Sequence, residues 1–124
     1  MALAAVDLDQ THALALWRAA VRASVRQAGP DLSSRQMAIL LAVYLAEPPH
    51  TVRGLAADLN IAKPAVSRAL DRLSILGFVR RKTDPDDRRN VHVHRTVKGA
   101  TFLHDFSALV IEAARGLVPE EGRP

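Results

Sequence analysis

"TVRGLAADLNIAKPAVSRALDRLSILGF", from Thr51 to Phe78, reads as two short helices joined by a tight turn. Thr51 is placed to cap the first helix, whose Leu55 and Leu59 fall on one face. Asn60 and Ile61 make a brief connection. The second helix begins near Lys63 with Pro64 in its first turn, where a missing amide proton does no harm. Val66, Ala69, Leu70 and Leu73 supply its inner face, and Gly77 stops it. Two short helices with matched inner faces and a tight turn make a helix-turn-helix.

Working outward, "LSSRQMAILLAVYLAE" from Leu32 to Glu47 opens with a capping box: Ser33 can accept from the Gln36 amide while the Gln36 side chain reaches back. Met37, Leu40, Leu41 and Tyr44 are expected to form its buried stripe, and Pro48-Pro49 ends it. Residues 8–28 are helix-compatible up to Gly29-Pro30, with Leu14, Trp17, Val21 and Val25 at helical spacing and Leu8, Leu16 and the alanines widening the stripe. After Gly77, "FVRRKT" and "NVHVHRT" read as two strands around a charged tip from Asp84 to Arg89. Thr96 can cap a last helix running to about Leu117, along which lie Leu103, Phe106, Val110, Ala114 and Leu117. The expected fold class is mainly α, an α+β winged helix. It consists of a helix-turn-helix plus a two-stranded β-wing, with a further helix at each end.

A chain of 124 residues suits one domain, here 1–124. The 48% of apolar residues with only 4% aromatics favour packed helices over a β-sandwich. Lys plus Arg exceeds Asp plus Glu by 17 − 13 = 4, compatible with an anionic partner without demanding one. The absence of cysteine excludes disulfides and thiolate metal sites. No apolar run approaches the ~18 residues of a membrane span. Asp7, Asp9 and His12 interrupt the first segment, which lacks the basic leader of a signal peptide. The expectation is a soluble, cytoplasmic protein. No nucleophile-base-acid set and no glycine-rich phosphate loop is visible, so an enzyme is not expected.

Opposite its inner face, the second helix of the pair carries Lys63, Ser67, Arg68 and Asp71, with Arg72 at the margin. A helix entering the major groove needs polar groups near its N-terminal end. Arg68 can grip O6 and N7 of guanine with two parallel hydrogen bonds, and Lys63 and Ser67 can sit on bases or phosphates. The bland alternative is the solvated face of an amphipathic helix. His92 and His94 lie two apart on a strand and share a face, with Val91 and Val93 turned to the core. Such a pair can supply two metal ligands, with His50 or His104 as a third, but no carboxylate is placed to complete the set. No metal and no cofactor is expected.

From about Leu32 to Gly99 the chain resembles the DNA-binding domain of MarR-family regulators, a class of bacterial repressors. The resemblance is carried by "VSRALDRLSILGFVRR", the D-x-x-D-R-R tip of Asp84 to Arg89, and the closing T-x-x-G of Thr96 to Gly99. It implies a DNA-binding core over 32–96, with Lys63, Pro64, Ser67, Arg68 and Arg72 on the major-groove helix. It also implies Arg89, beside Arg88, in the minor groove, with Asp87 pairing with a nearby arginine to hold the wing. Pro85 and the aspartates would shape the turn, and a narrow minor groove attracts a guanidinium.

The resemblance further implies a homodimer built by helices 8–28 and 97–117. Leu14, Trp17, Val21, Phe106, Val110 and Leu117 are the candidate dimerisation residues, and Phe102, Leu109, Ile111 and Val118 add apolar surface. A twofold pair would set two recognition helices about one DNA turn apart, on an inverted-repeat operator. The rival is a monomer using both faces in its own core. Two features depart from the family. Arg95 stands where relatives carry an apolar residue, free to reach a phosphate or an inter-subunit carboxylate. And the 124 − 99 = 25 residues after Gly99 suffice for one helix of ~20 residues, about 30 Å. A small-molecule pocket would then be small or absent, which leaves a small-molecule effector, a protein effector or constitutive binding open. The expected function is a sequence-specific regulator on double-stranded DNA, a homodimeric repressor. The alternatives are a protein-interaction module on the same fold or a nonspecific DNA-binding protein.

Overall fold

Asp9, Ser33, Thr51 and Thr96 each cap a helix. The Asp9 carboxylate accepts from the His12 amide at 2.8 Å, and the Thr51 hydroxyl from Gly54 at 2.9 Å. Ser33 and Gln36 exchange both bonds of a capping box at 2.9 and 3.2 Å. The Thr96 hydroxyl accepts from Gly99 at 2.9 Å. The computed structural model describes residues 8–116. In chain order the elements are α1 (Gln10–Arg26), α2 (Ser34–Leu45), β1 (His50–Thr51), α3 (Val52–Leu59), α4 (Lys63–Ile75), β2 (Val79–Thr83), β3 (Val91–Arg95) and α5 (Val97–Arg115). They fall into two compact units. Leu32–Leu103 forms one, and the residues before Leu32 and after Leu103 form the other.

The core of Leu32–Leu103 is built on Ile39, Leu40, Val43, Val66, Leu70 and Leu73, all fully buried. The inner face expected of α4 is the one observed, since Ala69 is buried with Val66, Leu70 and Leu73. For α2 the expectation needs correcting. Leu40 is fully buried, but Met37, Leu41 and Tyr44 are half-buried, and Ile39 and Val43 carry the core instead. The helix packs against α3, α4 and β3, so it is apolar over most of its circumference and periodicity alone does not single out a stripe.

Two left-handed residues make the tight corners. Asn60, at φ 53° and ψ 47°, closes α3 and turns the chain into α4. Gly77, at φ 79°, closes α4: its amide donates to Ser74 O and the Phe78 amide to Leu73 O, both at 2.9 Å. The wing sheet has three strands rather than two, in the order β1-β3-β2 and antiparallel throughout. The extra strand is His50–Thr51, which pairs His50 with Val93 and Thr51 with His92. Two residues carry no alternation, so no pattern announced it. Val79 and Val93 are buried on the inner face. Register puts Arg80 opposite His94 and Lys82 opposite His92 on the outer face.

The T-x-x-G motif holds the first turn of α5, which belongs to this unit. Besides capping α5, the Thr96 hydroxyl donates to Gly77 O at 2.7 Å. The Tyr44 hydroxyl donates to Phe78 O at 2.7 Å and accepts from the Thr96 amide at 2.8 Å. Gly99 is buried against these groups, and a Cβ there would collide with Tyr44 Oη and Phe78 O. Phe78 and Phe102 stack with ring centroids 4.4 Å apart. Arg95, the departure from the family pattern, turns onto the end of α2. Its guanidinium donates to Val43 O at 2.7 Å and Ala46 O at 3.1 Å, and lies 5.8 Å from the Tyr44 ring centroid. Those are carbonyls at the C-terminal end of α2, which has no basic residue in its own last turn.

In the second unit, Ala20 is the buried residue of α1 and Leu16 is half-buried. The stripe of Leu14, Trp17, Val21 and Val25 is instead exposed, at 63%, 68%, 42% and 63%. Phe106, Leu109 and Val110 of α5 are half-buried, while Ile111 is 51% exposed. Leu117 and Val118 lie outside the described residues. Among the described residues no helix is long and apolar enough to cross a membrane.

Candidate nucleic-acid interface

On α4 the face away from the core is largely polar, with Ile75 at its last position an exposed apolar residue. Lys63, Pro64, Arg68 and Arg72 are exposed, and Ser67 is half-buried. Ala62 caps the helix without a side-chain bond and Pro64 lies in the first turn, so no side chain covers the first amides. Asp71, on the same helix, is ion-paired across elements with Arg81 of β2 at 2.7 Å. The two charges fix β2 against the helix that displays Arg68 and Arg72.

The tip between β2 and β3 is a small hydrogen-bonded device. The Asp84 amide donates to Asn90 O and the Asn90 amide to Asp87 O, both at 2.9 Å. The Asp84 carboxylate accepts from the Asp86 amide at 2.9 Å. That backbone bond holds the Asp84 carboxyl below its ordinary value, against the opposing effect of desolvation. Bonds from His92 and Asn90 pull the same way as the backbone bond. Asp87 accepts from both the amide and the Nε of Arg89, each at 3.1 Å. The Arg89 side chain nevertheless stays 85% exposed, and Arg88 is exposed beside it. The aspartates therefore orient the tip and one of its arginines without covering either cation.

The histidines divide in use. His92 lies 3.4 Å from the Asp84 carboxylate, and its ring is 6.4 Å from that of His94. His50 Nε2 lies 3.1 Å from Ala46 O, and His104 sits beside Asp105 in the other unit. His12 pairs with Asp9 at 3.0 Å. Among the described residues no three His, Cys, Asp or Glu side chains converge to hold a metal ion, so the His92–His94 pair gains no third ligand. Reading the sequence missed two cations on the outer face of the sheet, Arg80 and Lys82. The signal was available: "VRRKT" sets basic residues two apart on a strand whose first residue is buried.

A helix-turn-helix whose second helix shows a basic face, followed by a sheet hairpin with exposed arginines at its tip, defines a winged helix-turn-helix protein. Comparison with known proteins narrows the class. Residues 31–90 match the model of the MarR family. The chain is 31% identical over 90 residues to the uncharacterized HTH-type transcriptional regulator YkoM of Bacillus subtilis, a match covering 69% of this chain and 58% of the relative. It thus spans less than two thirds of that relative's length. Among solved structures, a MarR transcriptional regulator from Methanosarcina mazei is 28% identical with a TM-score of 0.64, over 82% of this chain and 73% of the other. A MepR variant from S. aureus bound to an oligodeoxyribonucleotide superposes with a TM-score of 0.75 at 21% identity, over 90% of this chain and 82% of the other. These findings support a MarR-family winged helix over residues 31–90 of this chain.

Proposed function

We propose that this chain is a sequence-reading transcriptional regulator that binds double-stranded DNA. The observation that carries the reading is a coincidence of residues. The segment matching the family, 31–90, is also the one that exposes Lys63, Arg68, Arg72, Arg88 and Arg89 on a helix and a hairpin tip. In this reading the N-terminal half of α4 enters the major groove. Arg68 reads a guanine, Lys63, Ser67 and Arg72 hold bases or phosphates, and Pro64 sets the first turn. Arg89, directed by Asp87, enters the minor groove with Arg88 on its flank. The fold shared with a DNA-bound MepR variant supports this mode of use.

The finer reading is a homodimeric repressor on an inverted repeat. It is supported by the exposed stripe of Leu14, Trp17 and Val21, a contiguous run of large apolar side chains on one helix face. Closing that stripe against a second copy sets two α4 helices for successive major grooves. Phe106 and Val110 of α5 join the same contact.

Fluorescence anisotropy on duplex DNA from immediately upstream of the chain's own gene, against a scrambled duplex of equal length at near-physiological salt, tests the reading. Tight binding to the first alone is expected. Equal weak binding to both would replace it with a nonspecific DNA-binding protein. No binding to either, even at low salt, would favour a protein-interaction module.

A further inference from the structure

The outer face of the wing sheet has a charge pattern that the recognition helix and the tip do not use. Arg80 and Lys82 project from β2 on the side opposite the buried Val79, with His94 and His92 as their cross-strand neighbours. Thr51, opposite His92, completes the face from β1. None of these register partners is a carboxylate. The nearest acid along the strand is Asp84, already engaged by the Asp86 amide, Asn90 and His92. Arg80 and Lys82 are exposed, and among the described residues neither is ion-paired. This differs from Arg81, which points to the helix side and is held by Asp71.

The spacing of the two cations suits one ligand class. Residues two apart on a strand lie about 6.6 Å apart. Successive phosphates along one B-DNA strand, separated by a rise of about 3.4 Å and about a tenth of a turn, lie about 7 Å apart through space. A strand with basic residues at alternate positions can therefore meet neighbouring phosphates without distortion. The direction of the face is informative too. A hairpin with its tip in a minor groove stands on the duplex, so its two faces look along the duplex in opposite directions. The inner face looks toward the helices and the groove that α4 occupies. In the DNA-binding reading the outer face therefore looks away from α4, toward DNA beyond the half-site.

We infer that Arg80 and Lys82, with His94 beside them, form a second, sequence-independent contact to the phosphodiester backbone of the same duplex, flanking the segment engaged by α4 and the tip. This rests on the DNA-binding reading above and adds to it a longer footprint. Continuity favours the same duplex over another partner: β2 runs from Arg80 and Lys82 directly into the tip that carries Arg88 and Arg89. To reach the face the flank bends toward the sheet, so its sequence enters through stiffness rather than base contacts.

The test is a duplex-length series with the full chain. A fragment defined by footprinting is compared with the same fragment extended by about one helical turn, ~10 base pairs, at each end. The variant is R80A/K82A, two exposed positions, with its melting temperature checked against wild type. In the wild type the extended duplex is expected to bind more tightly and to steepen the log–log salt dependence by about 2 for each protomer bound, roughly 0.9 per phosphate. In the variant that increment disappears, while affinity for the short fragment is unchanged. Equal salt slopes on both lengths in the wild type would overturn the inference. So would an equal loss on both lengths in the variant, which would put the two cations inside the half-site. Complexes holding two duplexes, lost in the variant without any length effect, would move the face to a second duplex and also overturn it. Failure of the wild type to bind any duplex would instead defeat the DNA reading, and the flank contact with it.

Discussion

Asp71 on α4 and Arg81 on β2 meet at 2.7 Å, and this single ion pair ties the helix carrying Arg68 and Arg72 to the first strand of the wing. Their side chains are 59% and 33% exposed, so solvent weakens the attraction. A double-mutant cycle of D71N, R81Q and the double variant should give a coupling energy of about 0.2–1 kcal/mol in chemical denaturation. A larger proportional effect is expected on specific DNA affinity, because the pair sets the angle between the two DNA-contacting elements. Additive single effects in both assays would leave the pair without a positioning role.

Arg68→Ala should lose about 1–3 kcal/mol of operator affinity and relax the preference at one base pair, since a bidentate guanine contact disappears. Binding to a small library of single-base operator variants checks this. Equal losses on operator and scrambled DNA would reassign Arg68 to the backbone.

Arg89→Ala should weaken binding most on sites with an A·T-rich flank, where the narrow minor groove concentrates negative potential. Asp87→Ala should have a smaller effect in the same direction. It leaves the guanidinium in place but removes the carboxylate now bonded to its Nε and amide. Unchanged affinity in the arginine variant would reject the wing contact.

Asp84 gives the wing a defined acid limit. Its folded pKa is depressed, so it contributes stability that is fully present above the unfolded value near 3.8 and is lost as pH falls through the lower folded value. The Asp86 amide, which donates to that carboxylate, should therefore show a change in exchange or chemical shift in the acid range below the ordinary carboxylate value. Asp84→Asn should remove that acid transition at the tip. A transition that persists in this variant would belong to another group.

Leu14 and Trp17 are exposed in the chain alone, so L14D/W17D should leave the fold intact while abolishing self-association. Sedimentation velocity across a concentration series reads this directly. A wild type that sediments as a monomer at every concentration would dispose of the homodimer.

The elements legible in the sequence were those whose pattern had one solution. The four inner residues of α4 leave a single face to bury, and Ser33 with Gln36 forms a capping box wherever a helix starts there. Gly77 stops α4 because the turn demands a positive φ. Legibility failed where a pattern had two solutions or none. Along α1 the periodicity of Leu14, Trp17, Val21 and Val25 is plain and these residues are exposed in the chain alone, but the pattern does not single out Ala20 as the buried residue. A stripe fixes a direction on a helix without saying what covers it. His50 and Thr51 are too few to alternate, and the destination of Arg95 is set by two carbonyls distant in the chain. At the candidate interface, residue types and spacing pointed to α4 and the tip. Arg80 and Lys82 emerged only once the register of β2 against β3 was known.

The contact between Gly99 and Tyr44 bears on the order in which this chain can change by descent. A side chain at position 99 collides with the Tyr44 hydroxyl and the Phe78 carbonyl, while the hydroxyl also serves the Thr96 amide. A lineage that first replaces Gly99 meets the clash. One that first trims Tyr44 strands two backbone groups but opens part of the space. Inherited substitutions at the two sites are thus path-dependent, and the pair is expected to travel together through related sequences although each residue, taken alone, looks like an ordinary choice for its helix.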